Sequence, residues 1–224
     1  MFFAPTLDRR QPVVLITHGS MNPVHRGHVE MMVRARSALE AEGFHVVLGI
    51  MGIADSTHIH RKGTESLSDA MRLRLLELAT EPHHWLRHCN GHGVNCRSAF
   101  QLGGDLADSL QGVHVAYVQG SDVFQRHPPR KHASSRDLLV VVSREGDKKV
   151  PEAAGFHVLS QGKVRYGELR SGADRVLILP PSRGLAATSS TRVREAVMCG
   201  NTAAVVEMCG EAVAFEFTRH YFEI

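Results

Sequence analysis

Cysteine is sparse in this chain, with four in 224 residues. That is too few for a disulfide framework at this length, and it points to a reducing compartment. Charge imbalance is also missing. Lysine and arginine total 26 against 23 aspartates and glutamates, a net charge of +3. The strongly basic footprint of a nucleic-acid binder is therefore not present. No apolar run approaches the roughly 18 residues that a membrane span requires. The first residues lack a charged segment ahead of a long apolar one, so no secretory signal is read. Internal repeats and low-complexity tracts are absent as well. These absences together suggest an intracellular protein, cytoplasmic or nuclear, with neither nucleic acid nor membrane as partner.

What remains can build a core. The hydrophobic fraction is 43%, and the length suits one domain over residues 1–224. A β-branched run at 13–17 suits a strand buried on both faces. Residues 29–42 carry Val29, Met32, Val33 and Leu39 at helical spacing, with Gly43 as the stop. Further strands are expected at 44–50, 113–118, 138–143, 156–160 and 175–179. A helix is expected at 68–80, capped by Ser68 with Met71, Leu75 and Leu78 on one face; another is expected at 98–110, and helices follow from Thr188 onward. Residues 51–67 and 125–137 read as mobile loops, and 86–95 as irregular. Met198-Cys199 and Met208-Cys209 read as inward helix faces. Strands alternating with helices imply an α/β fold, a Rossmann-like, doubly wound parallel sheet with right-handed crossovers. In such sheets ligands sit beyond the carboxyl ends of the strands, where residues 17–28 and 120–122 would lie.

The first of those turns reads Gly-Ser-x-Asn-Pro-x-His-x-Gly-His from Gly19 to His28. It matches neither the G-x-x-x-x-G-K-[ST] nor the G-x-G-x-x-G phosphate signature. It has the physical parts of a phosphate site nonetheless. Gly19 permits close backbone approach, and Ser20 offers a hydroxyl. His25 and His28 share a face if a helix begins near Pro23. That helix start adds unsatisfied N–H groups and the positive end of its dipole. The plainer reading is two surface histidines on an ordinary connection.

With these residues the turn resembles the H-x-G-H nucleotidylyltransferase superfamily, and the chain is most similar to nicotinamide or nicotinic acid mononucleotide adenylyltransferases. Three later segments support the resemblance in order: Arg61-Lys62-Gly63 with the helix after it, Gly120-Ser121-Asp122, and Ser189-Ser190-Thr191-Arg192-Val193-Arg194. The resemblance implies transfer of the adenylyl group of ATP to the mononucleotide's phosphate, with pyrophosphate leaving; the alternatives are another nucleotidylyltransferase of the superfamily, such as one acting on phosphopantetheine, or a non-catalytic relative that binds nucleotide. It implies a nucleotidylyltransferase-type fold and site residues His28, His25 and Arg194 for catalysis. Gly19, Ser20, Lys62, Gly120, Asp122, Ser189, Ser190 and Thr191 would hold ATP and the dinucleotide, Asp122 through ribose hydroxyls. Lys62 could equally be a solvated loop lysine, Asp122 a helix cap, and 189–194 the start of an ordinary capped helix. A magnesium ion would come with ATP, bridged by phosphate oxygens and water, with no dedicated protein cage. A homo-oligomer stays open. The attacking phosphate is anionic at neutral pH, so catalysis needs positioning and charge stabilisation rather than a general base.

The chain departs from the family in its aromatics. The loops that would stack the pyridine ring read LRHCNGHGVNC and RHPPRKHASSR, and the one tryptophan, Trp85, reads as core. His88, Cys89, His92 and Cys96 do not follow the usual zinc spacing.

Overall fold

The apolar runs become strands, and the first of them, β1 (Pro12–Gly19), carries its burial from Val13 to Thr17. The computed structural model describes residues 12–54, 56–60, 67–89, 105, 109, 112–126, 138–144, 155–158, 175–182 and 188–222. The further strands are β2 (His45–Ile53), β3 (Leu86–His88), β4 (His114–Gly120), β5 (Leu138–Arg144), β6 (Gly155–Val158) and β7 (Arg175–Ser182). The described helices are α1 (Arg26–Ala41), α2 (Ser56–His60), α3 (Asp69–Thr80), α4 (Ser121–Arg126), α5 (Ser190–Met198), α6 (Thr202–Cys209) and α7 (Glu211–Phe222).

The strands form one sheet in the order β3-β2-β1-β4-β5-β7-β6. β1, β4, β5 and β7 run parallel to their neighbours in that series, and β6 joins the β7 edge antiparallel. The order reverses between β1 and β4. Open α/β sheets bind ligands beyond strand carboxyl ends at such a reversal. This is the expected Rossmann-like α/β architecture with one antiparallel edge strand added. No helix among the described residues is long and apolar enough to cross a membrane.

Contacts divide the chain into two compact units. The first holds residues 1–17, 31–49 and 99–186, and the second holds 18–30, 50–98 and 187–224. In the first, Val13, Leu15, Ile16, Ala116, Val140 and Val176 are each fully buried. Their β-branched and apolar side chains suit a sheet covered on both faces. Met32, Ala35 and Leu39 form the buried stripe of α1. From the same helix Arg34 donates to the carbonyls of Ser143 at 3.3 Å and Pro180 at 2.5 Å, joining the carboxyl ends of β5 and β7. Helix α1 stops as its sequence predicts. Gly43 takes φ +86°, and the N–H groups of Gly43 and Phe44 return to the carbonyls of Glu40 and Leu39, the Schellman arrangement that satisfies orphan carbonyls.

In the second unit α3 packs on β3 and on α7, and α6 packs on α5 and α7. Ser68 caps α3, its Oγ accepting from Met71 N–H at 3.2 Å. On the exposed face, Arg74 hydrogen bonds Glu77 and holds its carboxyl below the ordinary carboxylate range.

Several sequence expectations are corrected. Residues 51–53 extend β2, and α2 occupies part of the expected 51–67 loop. β3 lies in a stretch expected to be irregular, and Gln125 and Arg126 belong to α4 rather than to a loop. Helix α1 begins at Arg26, three residues early, because His25 and His28 organise its first turn. The inward face of α3 is Arg72, Leu75, Leu76 and Thr80, not Met71 and Leu78. Met198 and Cys199 face outward at the end of α5, whereas Cys209 is buried and Trp85 joins the core as expected. The helix expected over 98–110 falls outside the described residues except for Asp105 and Ser109, which are helical.

Strand β1 carries much of the sheet's burial. Leu15→Ala removes a fully buried side chain and should cost about 2–5 kcal/mol, read as a shift in the urea unfolding midpoint.

Candidate active site

The turn from Gly19 to His25 lies entirely within the second unit, and its carbonyls are held from outside the turn almost residue by residue. Gly19 O accepts from Ala54 N–H at 2.7 Å. Ser20 O accepts from Arg72 Nη1 at 2.8 Å. Asn22 O accepts from Arg194 Nη1 at 2.5 Å, and Pro23 O from Ser190 Oγ at 2.8 Å. Val24 O faces Cys209 Sγ at 3.6 Å. The Asn22 side chain is also engaged, its Oδ1 accepting from Leu67 N–H at 3.0 Å. The donors come from the end of β2, α3, α5 and α6.

In a trans peptide the C=O and the following N–H point opposite ways. Holding the carbonyls of Gly19, Ser20, Pro23 and Val24 therefore turns the N–H groups of Ser20, Met21, Val24 and His25 away from those donors. Met21 sits in the left-handed region at φ +45° with its side chain buried. A non-glycine residue rarely adopts that conformation unless its surroundings dictate it. A Cβ on Gly19 would lie 3.4 Å from Met21 Cε, so the protein's own packing leaves room there.

His25 and His28 organise the start of α1. His28 N–H donates to His25 O at 2.9 Å, and His25 N–H donates to His28 Nδ1 at 3.2 Å. A third-position side chain reaching back to the N-cap N–H is half of a capping box, here built with imidazole. Nδ1 accepts, so neutral His28 carries its proton on Nε2 and presents Nε2–H as a donor. The two rings stack at 3.8 Å between centroids, tilted by 33°. His25 is buried behind the half-buried His28.

The C-terminal motif meets this turn. Ser189 caps α5, its Oγ accepting from Arg192 N–H at 3.2 Å. Ser190 and Arg194 reach Pro23 and Asn22 as described, and Arg194 Nη2 lies 3.4 Å from Thr191 Oγ1. Two helix starts, α1 and α5, are thus joined through one turn, each with N–H groups and a positive dipole end suited to anions. Arg26 extends beside Gly210 at the C-terminus of α6, where a cation complements the helix dipole. Gly120 and Asp122 belong to the first unit, Gly120 closing β4 and Asp122 in the first turn of α4. Lys62 lies outside the described residues, as do His92 and Cys96 of the histidine–cysteine stretch. Among the described residues no three His, Cys, Asp or Glu side chains cluster to hold a metal.

Sequence reasoning missed Arg72, Ala54 and Cys209 as supports of the turn. Arg72 had a readable signal, since it shares a helical face with Leu75 and Leu76. Ala54 acts through its backbone, which no side-chain pattern reveals. Burial raises the Cys209 thiol from the ordinary 9.0 to about 12, against the opposing charge of Arg26. Its protonated form is favoured in the fold, so its contribution is complete below pH 9.0 and is lost as pH rises toward about 12. The wild type should accordingly lose stability relative to Cys209→Ala across that window, measured by urea titration. In the native state a maleimide should label exposed Cys199 well ahead of Cys209.

Comparison with known proteins bears on the family and the fold. The cytidylyltransferase-like family matches residues 16–196. A nicotinamide/nicotinic acid mononucleotide adenylyltransferase 2 from Xenopus tropicalis is 35% identical over 75 residues, 34% of this chain and 24% of that protein. The chain's match thus spans about a quarter of that relative's length. The Caenorhabditis elegans protein of the same name is 25% identical over 211 residues, covering 83% of this chain and 87% of its own. Among solved structures, Plasmodium falciparum nicotinic acid mononucleotide adenylyltransferase complexed with NaAD superposes with a TM-score of 0.63 at 11% identity, covering 94% and 97% of the two chains. That likeness shows the fold. With the family match running from within β1 into α5, the chain belongs to the cytidylyltransferase-like family.

Proposed function

We propose that this protein transfers the adenylyl group of ATP to nicotinamide or nicotinic acid mononucleotide, giving NAD or deamido-NAD and pyrophosphate. The observation that carries the reading is the joined pair of helix starts: Arg194 and Ser190 hold the backbone of the same turn that leads into His25 and His28. The names of the relatives above supply the substrate class.

The chemistry asks little of protein acid or base groups. An oxygen of the mononucleotide's phosphate forms a bond to the α-phosphorus of ATP. The bond from that phosphorus to the bridging oxygen breaks, and pyrophosphate leaves with the electron pair. The nucleophile is already an anion, so the protein's task is alignment and stabilisation of added negative charge.

In this reading the Nε2–H of His28 donates to phosphate oxygens, and His25 supports it from behind. Gly19 and Ser20 line the central phosphates, where a Cβ on Gly19 would intrude on the ligand rather than on the protein. The N-terminus of α5, with Ser189, Ser190 and Thr191, forms a second anion site, and Arg194 adds its forked guanidinium. Gly120 and Asp122 would meet the ribose, and Lys62 would bring charge to a substrate phosphate. Magnesium would arrive with ATP, held by phosphate oxygens and water; the donors of this turn are N–H, imidazole and guanidinium groups, which suit phosphates and not the ion. The sparse cysteines go with an intracellular location.

The test is product formation. The protein is incubated with magnesium, ATP or CTP, and each mononucleotide, and products are separated by chromatography. A dinucleotide made from ATP and at least one mononucleotide is expected; its absence with both rejects the activity. His28→Ala should lower kcat by about 10²-fold or more, the scale of losing one donor to developing charge. An unchanged kcat would remove His28 from that role.

A further inference from the structure

Arg72 has no accessible surface, yet it carries a charge. A guanidinium placed there is unfavourable unless its donors are engaged. Its carboxylate partner, Asp69, lies 2.7 Å from Nη2 and is itself 54% exposed, so water already serves it. The remaining engagement is with main chain: Nη1 donates to Ser20 O and to Ala54 O, each at 2.8 Å. Nε is buried with no hydrogen-bond partner among the described residues. A well-packed apolar side chain would serve stability as well or better. It could not determine where the Ser20 carbonyl points.

That direction matters to an anion. Ala54 is tied twice, its N–H to Gly19 O and its O to Arg72. Arg72 therefore closes a small circuit linking the end of β2 to the first half of the turn. Released from it, the Ser20–Met21 peptide could rotate. Its carbonyl oxygen would then turn its negative end toward the face that the N–H groups occupy. Met21, already at φ +45°, would gain a route to relax. A carbonyl dipole facing phosphates repels them, and repels most the state with the most negative charge.

We propose that Arg72 is a positioning residue for the phosphate turn, holding the Ser20 and Ala54 carbonyls back so that the turn presents N–H groups to the phosphates of ATP. This rests on the phosphate-binding reading of the turn. The guanidinium touches neither substrate nor reacting atoms and acts through the backbone it holds.

Three variants of the full chain test it. Arg72→Lys keeps the charge and loses the planar fork. Asp69→Asn leaves the guanidinium in place and weakens its anchor. Leu75→Ala, at a fully buried position in the same helix, removes packing without touching a carbonyl. Affinity for ATP with magnesium is measured by calorimetry, steady-state constants are measured for both substrates, and folding is followed by melting temperature. Arg72→Lys should weaken ATP binding and lower kcat/KM for ATP by about tenfold, and Asp69→Asn by about threefold. The KM for the mononucleotide should stay within about twofold of the wild type in both. Leu75→Ala should lower the melting temperature and leave ATP affinity unchanged below its transition. Folded Arg72→Lys and Asp69→Asn proteins with wild-type ATP affinity overturn the proposal, as does a Leu75→Ala protein with an equal loss. If Arg72→Lys does not fold, Asp69→Asn against Leu75→Ala decides. A wild type that binds ATP but makes no dinucleotide fails the proposed activity, while the ATP affinities still decide the role of Arg72. A wild type that binds no ATP rejects both.

Discussion

The second unit is organised by one constraint: the carbonyl oxygens of residues 19, 20, 22, 23 and 24 are bound from behind. Ala54, Arg72, Arg194, Ser190 and Cys209 each supply a donor to a different carbonyl. A tight turn leaving a strand leaves several backbone groups outside any ladder, and those that are buried must be paired. Pairing the acceptors with the protein orients the donors the other way, because each peptide plane is rigid. An anion site needs donors without competing acceptors, and that is the arrangement the proposed phosphate role of this turn requires.

The same constraint explains why pieces far apart in sequence are needed together. Asn22 and Arg194 are separated by 172 positions, and Val24 and Cys209 by 185. Helices α5 and α6 supply those donors, and α3 supplies Arg72. Packing of α3 on α7 and of α6 on both α5 and α7 makes these supports one body; Arg72 and Cys209 are buried in it, and Ser190 and Arg194 are half-buried. Interiors this closely packed transmit small displacements rather than absorb them. The strained backbone of Met21 persists inside that frame, between two residues whose carbonyls are fastened.

His25 and His28 show how local capping and chemistry combine. One nitrogen of His28 completes the first turn of α1, and in the neutral ring that commitment leaves the other nitrogen to carry the proton. The side chain is oriented by the start of the helix itself, through the His25 N–H and the stacked His25 ring.

Much of this was legible in the residues. Apolar runs at 13–17, 113–118, 138–143 and 175–179 became strands because continuous β-branched stretches suit a doubly covered sheet. Gly43 stopped α1 and Ser68 capped α3, since both act through neighbours within four residues. The Gly19–His28 string and the 189–194 segment stood out by residue type alone, and the structure brings the two segments together. The short strand β3 and the short helix α2 were not legible, because elements of three and five residues carry too few positions for a periodicity and are held by their surroundings. Nor were the supports of the turn. Arg72 looks like any helical arginine, Ala54 contributes only backbone, and Cys209 looks like a small core residue. Sequence by itself determined which groups could meet a phosphate, for that depends on side-chain chemistry and local spacing. Only the tertiary structure decided which way the backbone of the turn faces, because that direction is set by donors arriving from elements far away along the chain.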